Sequence, residues 1–403
     1  MRPFEGRRVL LGVTGGIASY KSVMLARLLT QAGADVDVVM TRSALEFVGA
    51  ITFEAVTGRR TYSEIFGAGN ALDHIRLARE ADLVIVAPAT ADFLARVAHG
   101  HADDLLTAVL LANTSPVLLI PAMNDRMWAN AQTRKNVTHL SELGYLVVDP
   151  DEGPLAAGEG SGPGRMPEPE TIVAHASRLI EKSGNLTGRK VVVTAGATRE
   201  AIDPVRFISN RSTGKMGVAI AESAWRRGAD VTLIAGHIEV PVPHGVKRVD
   251  AETVESMRDA VAAALSGADA LIMAAAPADF RPTTIAPQKM KKSGAETAPT
   301  ISLTHTDDIL KSTLAARPQG CVVVGFALET ENLLQNGKAK LEQKTLDLIV
   351  ANSAIEEGAG FGGDTNRVIL IGRDGSKEEI PLMQKTDLAE VILDRVETLL
   401  NGR

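Results

Sequence analysis

Short apolar runs alternate with amphipathic helical patterns along both halves of the chain. The first run, 8–13, precedes a turn at Gly15-Gly16, a helical pattern of about 14 residues and a second run at 35–40. A similar opening recurs in the middle of the chain, where the run 191–193 leads into another turn of small residues. This order is typical of a doubly wound parallel sheet. The pattern predicts an α/β protein with two doubly wound, Rossmann-like domains.

The two predicted domains meet at a pair of breaks in the pattern. A strand is expected at about 139–151, and the stretch 152–168 that follows is too rich in Gly and Pro to continue a helix or a central strand, so a loop is predicted there. A helix with Pro169 in its first turn comes next, and the string SGNLTG breaks the chain again. We therefore expect one domain at 1–187 and a second at 188–403.

The second half continues with short apolar runs and helical patterns. The runs lie within ADVTLIAG, ADALIMAAAPADF, CVVVGFALET and LDLIVANSA. A hairpin is predicted through Asp374-Gly375, and an amphipathic helix is predicted at the end of the chain.

Composition agrees with two globular domains and narrows the classes of partner. A chain of 403 residues exceeds what one core usually supports, and 45% of its residues are hydrophobic. A net charge of −6 with only 3% aromatic residues argues against nucleic-acid binding. Cys321 is the single cysteine and is expected to be inert core, so neither a disulfide nor a paired-cysteine metal site is expected. With no membrane-length apolar run and no signal-peptide core, a cytoplasmic protein without a membrane partner is expected.

Candidate ligand contacts in the first half follow the predicted strands. The turn at Gly15-Gly16 offers free N–H groups to a phosphate, although a tight turn without a ligand needs the same glycines. It lacks the third glycine of G-x-G-x-x-G, which disfavours an NAD site. Two further strands are expected to end at Pro88-Ala89-Thr90 and at 121–124, and ligands bind at the carboxyl ends of such strands.

Two polar residues of the first half are candidates for chemistry. The side chain of Asn124 offers both a donor and an acceptor, and a role as a turn residue or helix cap is equally open. His74 is expected at the start of a short helix, where it is either a partly exposed polar residue or a group for proton transfer.

The second half contains an unusually long polar loop before the helix that is expected near Lys215. It spans about 15 residues, longer than the usual strand-to-helix connection. Its donors suit a phosphorylated acid and an activated acyl group, and an ordered surface loop is the alternative. These donors are Arg206, Asn210, Arg211, Ser212 and Thr213.

A lysine-rich segment follows Asp279. Lys289, Lys291 and Lys292 are by composition more typical of a solvated, mobile segment than of a site.

Ordered strings in both halves carry a family resemblance. In the first half, TGGIASYK, HIRLA, APATADF and PAMNDRMW resemble flavin-dependent cysteine decarboxylases, and GPGRMPEP resembles the substrate lid of that family. In the second half, DPVRFISNRSTGKMG, AAAPADF, KMKK and LDLIVAN resemble phosphopantothenate–cysteine ligase. Nearly the whole chain is therefore similar to the bifunctional decarboxylase–ligase family of bacterial coenzyme A synthesis.

The resemblance implies an N-terminal flavodoxin-like flavoprotein domain that uses FMN to decarboxylate 4′-phosphopantothenoylcysteine to 4′-phosphopantetheine. His74 is implied to be the catalytic histidine beside the flavin, and Asn124 to hold the departing carboxylate. The implied FMN contacts are Gly15, Ile17, Ala18, Thr41, Ser43, Pro88, Ala89 and Thr90. The implied lid, 152–168, includes Ala157, Glu159, Gly164, Arg165 and Met166.

One residue of the lid departs from the family pattern. Ala157 stands where the family has a cysteine that protonates the ene-thiol intermediate, and one residue more than usual precedes Gly162. Alanine cannot donate a proton. We expect oxidative decarboxylation to survive. For the final reduction three alternatives are open: another acid serves, with Glu159 as the nearest candidate, the reaction stalls at the ene-thiol, or the alanine is an engineered change.

The resemblance also implies a C-terminal nucleotide-binding ligase domain that joins 4′-phosphopantothenate to cysteine through an acyl-cytidylate, with CTP as co-substrate and Mg²⁺ or Mn²⁺ as metal. Asn210 would hold the acyl-cytidylate, Lys289 and Arg206 would act in catalysis, and Asp279 would be a CTP- or metal-linked carboxylate. The implied CTP contacts are Met273, Ala274, Ala275, Asp279, Lys289, Thr306, Asp307, Asp308, Ile309, Phe326, Lys340 and Lys344. The strings TDD and AGAT differ from the usual Asn-Pro-Asp and Ala-Gly-Gly-Thr.

The assembly implied by the resemblance is a homo-oligomer, a dodecamer of flavin-burying trimers and ligase dimers. Two other functions stay open on the residues alone. The paired strand–glycine–helix openings also suit an NAD(P)-dependent oxidoreductase, and the missing lid cysteine also suits a flavin-binding regulatory protein.

Overall fold

The computed structural model describes residues 4–66, 71–156, 158, 160–181, 186–290, 300–329, 333–353 and 362–402. The chain divides into two compact units, Met1–Lys182 and Ser183–Arg403, close to the predicted boundary. Within the described ranges, no helix combines the length and the apolar character that crossing a bilayer requires.

The first unit is a parallel sheet covered by helices on both faces. Its strand order is β3-β2-β1-β4-β5-β6, the Rossmann order, and without the two-residue edge strand β3 it becomes the flavodoxin order. The elements are β1 Arg8–Val13, α1 Ser19–Gln31, β2 Asp35–Met40, α2 Ala50–Thr57, β3 Thr61–Tyr62, α3 Asp73–Glu80, β4 Leu83–Ala89, α4 Ala91–Ala98, α5 Leu105–Ala112, β5 Val117–Pro121, α6 Asp125–Ala129, α7 Ala131–Glu142, β6 Leu146–Val147, β7 Asp151–Pro154, β8 Ser161–Arg165 and α8 Pro169–Ile180.

The core of this unit explains why its strands read as continuous apolar runs. Leu10 of β1 belongs to the cluster on one face of the sheet, whereas Leu11 belongs to the cluster on the other. Because helices cover both faces, alternate strand positions are equally buried. The strand order reverses between β1 and β4, so a crevice opens outside the carboxyl ends of these two strands.

Two predictions about the end of this unit are wrong. The expected strand at 139–151 is shorter, because α7 continues to Glu142 and β6 covers only Leu146–Val147. The stretch 152–168 is not all loop, since β7 and β8 within it pair as an antiparallel hairpin. A two-stranded ribbon tolerates Gly and Pro because each strand has one side free of ladder hydrogen bonds.

The second unit has a mixed sheet with strand order β13-β12-β9-β14-β17-β18-β19-β20. Its strands are parallel up to β18, and β19 and β20 run antiparallel. The elements are β9 Lys190–Ala195, β10 Arg199–Ala201, β11 Phe207–Ser209, α9 Lys215–Arg226, β12 Asp230–Ala235, β13 Lys247–Asp250, α10 Val254–Ala264, β14 Ala270–Met273, β15 Phe280–Pro282, β16 Leu303–His305, α11 Ile309–Ser312, β17 Val322–Glu329, α12 Leu333–Gln343, β18 Leu348–Ser353, β19 Thr365–Gly372, β20 Lys377–Gln384 and α13 Lys385–Asn401.

Several local predictions in this unit are confirmed. The turn between β19 and β20 contains Gly375 with a φ of 86°, a left-handed conformation that favours glycine. The helix α9 begins at Lys215, and Cys321 is buried in the core and forms no disulfide. The strand order reverses between β9 and β14, which defines the second crevice.

Candidate functional site

A cavity of about 1220 Å³ opens at the crevice between β1 and β4 of the first unit. Its wall combines the turn after β1, the segment after β2 and the ends of β4 and β5. Sequence-predicted residues in this wall are Gly15, Ile17, Ala18, Thr41, Ser43, Pro88, Thr90, Asn124, Gly164, Arg165 and Met166. The structure therefore brings most of the predicted flavin and lid contacts into one cavity.

The turn after β1 has no room for a side chain at Gly15. A Cβ there would contact the Cβ of Ser43 and lie 2.9 Å from the backbone carbonyl of the same residue. The helix α1 follows without a side-chain cap at Ala18. The N–H groups of Ser19 and Lys21 donate to the carbonyl oxygens of Gly16 and Ala18, both at 3.0 Å, so the helix start offers a ligand its positive dipole end and only part of its N–H groups. A helix N-terminus of this kind favours an anion such as a phosphate.

Thr14, which the sequence analysis did not single out, ties this turn to the end of β4. Its Oγ1 donates to the carbonyl oxygen of Pro88 at 2.8 Å and accepts from the N–H of Thr90 at 3.2 Å. The side chain is buried. These two hydrogen bonds thus fix the distance between the turn after β1 and the end of β4, which form two walls of the crevice. The sequence feature that could have identified Thr14 is a threonine directly before a Gly-Gly turn.

Asn124 has the capping role that the sequence left open, and it also lines the cavity. Its Oδ1 accepts from the N–H of Arg126 at 2.9 Å at the start of α6. With that oxygen used by the helix, the amide NH₂ is the part of the side chain suited to donate to a ligand.

The β7–β8 hairpin closes one side of the cavity. The N–H of Met123 donates to the carbonyl oxygen of Gly164 at 3.0 Å, and a Cβ at Gly164 would collide with the carbonyl oxygen of Met123. This glycine is therefore needed for close approach of the hairpin to the end of β5. The lid residues Ala157 and Glu159 lie outside the described residues.

Two predicted residues are not in the cavity wall. Ala89 is fully buried and its side chain belongs to the core, so any contact with the flavin would come from its backbone, and that contact stays a prediction. His74 is the second residue of α3 and does not line this cavity. Its Nδ1 is buried and has no hydrogen-bond partner among the residues that the structure describes.

The predicted ligase residues gather at the second crevice. Met273 ends β14, and Ala274 and Ala275 follow it, the latter donating its N–H to Thr194 Oγ1 at 3.1 Å. Asn210 donates from Nδ2 to the carbonyl oxygens of Ala276 and Pro277, at 3.2 and 2.9 Å. The long polar loop is thereby fixed to the segment after β14.

Asp203, which the sequence analysis missed, organises Arg206. Its carboxylate accepts from Arg206 Nη1 at 2.5 Å and from the N–H groups of Val205, Arg206 and Met290. Arg206 also donates to the carbonyl oxygen of Met290 at 2.9 Å. Burial alone would raise the pKa of Asp203, but the backbone donors and the guanidinium lower it to about 2. The sequence feature that could have identified Asp203 is an Asp-Pro pair in the loop.

The segment 306–308 is held by contacts on every residue. Thr306 Oγ1 donates to the carbonyl oxygen of Ala278 at 2.6 Å. Asp307 pairs with Arg258, and Asp308 caps α11 and pairs with Lys344 at 3.1 Å.

The other predicted nucleotide contacts are distributed between surface and core. Lys340 pairs with Glu329 at 2.6 Å, Phe326 is half-buried, and Lys289 and Asp279 are exposed. Ile309 belongs to the core, which leaves its backbone for any ligand contact. Lys291 and Lys292 lie outside the described residues. In the described part of the chain, no group of three or more His, Cys, Asp or Glu residues is placed to hold a metal ion, so the metal role of Asp279 stays a prediction.

Comparison with known proteins covers both units. The Flavoprotein family matches residues 2–181, and the DNA/pantothenate metabolism flavoprotein C-terminal domain family matches 186–400. These matches define a two-part flavoprotein.

Full-length relatives carry one name. The coenzyme A biosynthesis bifunctional protein CoaBC of Mycobacterium tuberculosis strain H37Rv is 47% identical over 410 residues, covering 98% of this chain and 97% of the relative. The proteins of the same name from Bacillus subtilis and Vibrio vulnificus strain YJ016 are 45% and 42% identical, covering 98% and 99% of this chain and 98% and 100% of the relatives. The chain belongs to this family of bifunctional coenzyme A biosynthesis proteins. The prediction of a bifunctional flavoprotein enzyme of this biosynthesis is confirmed.

Proposed function

We propose that the first unit binds FMN in the cavity between β1 and β4 and decarboxylates 4′-phosphopantothenoylcysteine there. The observation that carries this proposal is the cavity itself, whose wall contains the uncapped start of α1 and the tight Gly15 turn. These features fit a phosphorylated planar group, because the helix start suits the phosphate and the turn allows close approach. When bound, FMN supplies the redox step on the substrate thiol.

The chain's own residues bind and orient the substrate in this proposal. Asn124 holds the carboxylate that leaves as carbon dioxide, because its amide NH₂ is a neutral donor that can orient the carboxylate without the strong charge stabilisation that a cation would give it. The hairpin arm at Gly164–Met166 covers one side of the cavity and restricts water.

The lid sequence leads to a specific product. Ala157 has no proton to give at the position of the family cysteine. We therefore expect decarboxylation to yield mainly the ene-thiol, two hydrogens lighter than 4′-phosphopantetheine. Replacing Ala157 by Cys should shift the product to the saturated thiol in mass spectra, and an already saturated product would point to a substitute acid such as Glu159.

The second unit is proposed to ligate 4′-phosphopantothenate to cysteine with CTP and a divalent cation, Mg²⁺ or Mn²⁺. Asn210 and Arg206 lie in one loop that is tied to the segments after β14, the place where open α/β sheets bind ligands. Carboxylate attack on the α-phosphate of CTP releases pyrophosphate, and the amine of cysteine then displaces CMP.

The location of His74 supports a subunit-shared site in the first unit. Because His74 does not line its own cavity, we propose that it enters the cavity of a neighbouring copy. Exposed apolar side chains occur both at the cavity wall, with Ile17 and Tyr20, and beside His74, with Leu72 and Ile75. Such paired patches suit a head-to-tail ring, which agrees with trimers inside a dodecamer. A monomer in sedimentation at working concentration would contradict this assembly.

Two measurements on the full-length protein test the function. The purified protein should show an oxidised-flavin absorbance band and release carbon dioxide from 4′-phosphopantothenoylcysteine. Pyrophosphate release should require CTP, 4′-phosphopantothenate and cysteine together. Colourless protein that does not take up FMN would refute the first half of the proposal, and pyrophosphate release without cysteine or 4′-phosphopantothenate would refute the second.

A further inference from the structure

Lys21 is a nearly buried ammonium that joins the turn after β1 to the hairpin arm. Its side chain is only 10% exposed and lies in the first turn of α1. Nζ donates to the carbonyl oxygen of Met166 at 2.9 Å and to Oε1 of Glu168 at 2.8 Å. The residue also lines the cavity. Neither contact is local in sequence, so the sequence pattern contained no signal for them.

The surroundings of Lys21 place two cations on one carboxylate. Arg165 donates to the same Oε1 of Glu168 at 3.3 Å and lines the cavity as well. The Glu168 side chain is 53% exposed. The Lys21 ammonium is therefore the desolvated member of the pair, and a buried charge of this kind is stable only with its partners in place.

We propose that Lys21 is a positioning residue that fixes the β8 end of the hairpin to α1. It acts through Met166 and Glu168 on the segment that covers the substrate, and this role rests on the proposed function of the hairpin as the substrate lid. Loss of Lys21 therefore weakens the hold on the substrate and exposes the Arg165–Met166 peptide bond. Flavin retention depends on the backbone of the Gly15 turn and of the start of α1, which a change in the Lys21 side chain leaves in place, so it stays unchanged.

The test uses Lys21→Met in the full-length, flavin-loaded protein. Methionine keeps the length and apolar stem, and Glu168 stays half-solvated, so no unpaired buried charge is created. We expect KM for 4′-phosphopantothenoylcysteine to rise about tenfold with kcat changed less than about threefold, as for lost ground-state binding. Trypsin should cut after Arg165 about tenfold faster, because local opening controls cleavage. Lys21→Arg keeps charge and donors and should restore most of both properties.

A matched control and a second variant keep the result decisive. Lys135→Met removes an exposed lysine of α7 and should leave both readouts unchanged. Glu168→Gln weakens the same link from the solvent side and should change both readouts in the same direction as Lys21→Met. If Lys21→Met does not fold, the result for Glu168→Gln alone tests the proposal.

Two results would overturn the assignment. One is wild-type KM and trypsin cleavage in Lys21→Met or, if that variant does not fold, in Glu168→Gln. The other is flavin loss in proportion to the rise in KM, which would make Lys21 a flavin contact. Failure of the decarboxylase proposal is distinguishable, because cleavage after Arg165 is measured without turnover.

Discussion

Asn124 and Gly15 show how single residues of the cavity wall combine structural and chemical demands. The oxygen of the Asn124 side chain caps α6 while the residue lines the cavity. Gly15 packs against Ser43 so closely that only a hydrogen fits. At both positions, a simple alanine substitution changes packing or capping as well as ligand contact, so the variants must separate the two.

For Asn124, aspartate is the variant that separates capping from chemistry. Asn124→Asp keeps an oxygen for the N–H of Arg126, so the free energy of unfolding should change by less than about 0.5 kcal/mol. It removes the amide donor and adds a negative charge near the departing carboxylate, and the decarboxylation rate should fall by about 10²-fold or more. Asn124→Ala also removes the oxygen that caps α6, so its free energy of unfolding should fall by about 1 kcal/mol relative to the wild type. Denaturant unfolding and carbon dioxide release measure the two effects, and wild-type turnover in Asn124→Asp would refute the assigned role.

For Gly15, the expected consequence is loss of flavin. The added methyl group of Gly15→Ala would lie 2.9 Å from the Ser43 backbone, so the turn must move away from the cavity. Gly49→Ala is the control, since its Cβ would meet nothing closer than Ile51 at 3.8 Å. The ratio of flavin absorbance to protein should fall in the first variant and stay at the wild-type value in the second. Full flavin occupancy in Gly15→Ala would mean that the turn does not shape the site.

At the scale of elements, Asp203 joins the loop between β10 and β11 to the segment that follows β15, through the N–H of Met290. Its buried carboxylate holds Arg206 and the N–H of Met290 at the same time. Two segments far apart in sequence therefore move as one. The predicted ligase residue Lys289 is the neighbour of Met290. This link therefore also fixes the position of the backbone from which the Lys289 side chain extends.

The low pKa of Asp203 gives this link a defined pH dependence. The folded value of about 2 lies below the value of about 4 for an unfolded aspartate, so the carboxylate stabilises the fold fully above about pH 4 and loses this contribution as the pH falls toward 2. The gap in thermal midpoint between wild type and Asp203→Asn should be constant from neutral pH to about pH 4 and shrink below it. A gap that persists unchanged at pH 3 would contradict this account. Asp203→Asn should also raise KM for CTP or 4′-phosphopantothenate at neutral pH, because Arg206 loses its partner.

At the scale of the whole molecule, the role proposed for His74 requires a second copy of the chain. In the single chain His74 lies outside the cavity, and its Nδ1 is buried without a hydrogen-bond partner among the described residues. Because Nδ1 is buried inside its own chain, a second copy could contact only the solvent-facing part of this half-buried side chain, and the proposed shared site uses that part. In the proposed assembly, the wall around Asn124 and the helix α3 of a neighbouring copy form one shared site.

Mixing two inactive variants tests the shared site. Equal amounts of His74→Asn and Asn124→Asp, refolded or co-expressed so that rings contain both, should recover about a quarter of wild-type decarboxylation. This follows because one cavity in four pairs an intact Asn124 with an intact His74 from its neighbour. Each variant alone should stay inactive. If verified mixed rings showed no recovery, His74 would have to act within its own subunit.

The sequence by itself determined the two doubly wound units, the start of α9 and part of the cavity wall. These features depend on local signals, namely apolar runs, glycine turns and residues at strand ends. Residues at the carboxyl ends of parallel strands lie at the same edge of a sheet, so their position can be predicted. Only the tertiary structure decided that the Gly- and Pro-rich stretch forms a hairpin, that Ala89 turns into the core and that His74 misses its own cavity. It also revealed Lys21 and Asp203, because buried charges find partners far away along the chain. Such contacts depend on which segments are brought together when the chain folds, and a local pattern of residues contains no information about that.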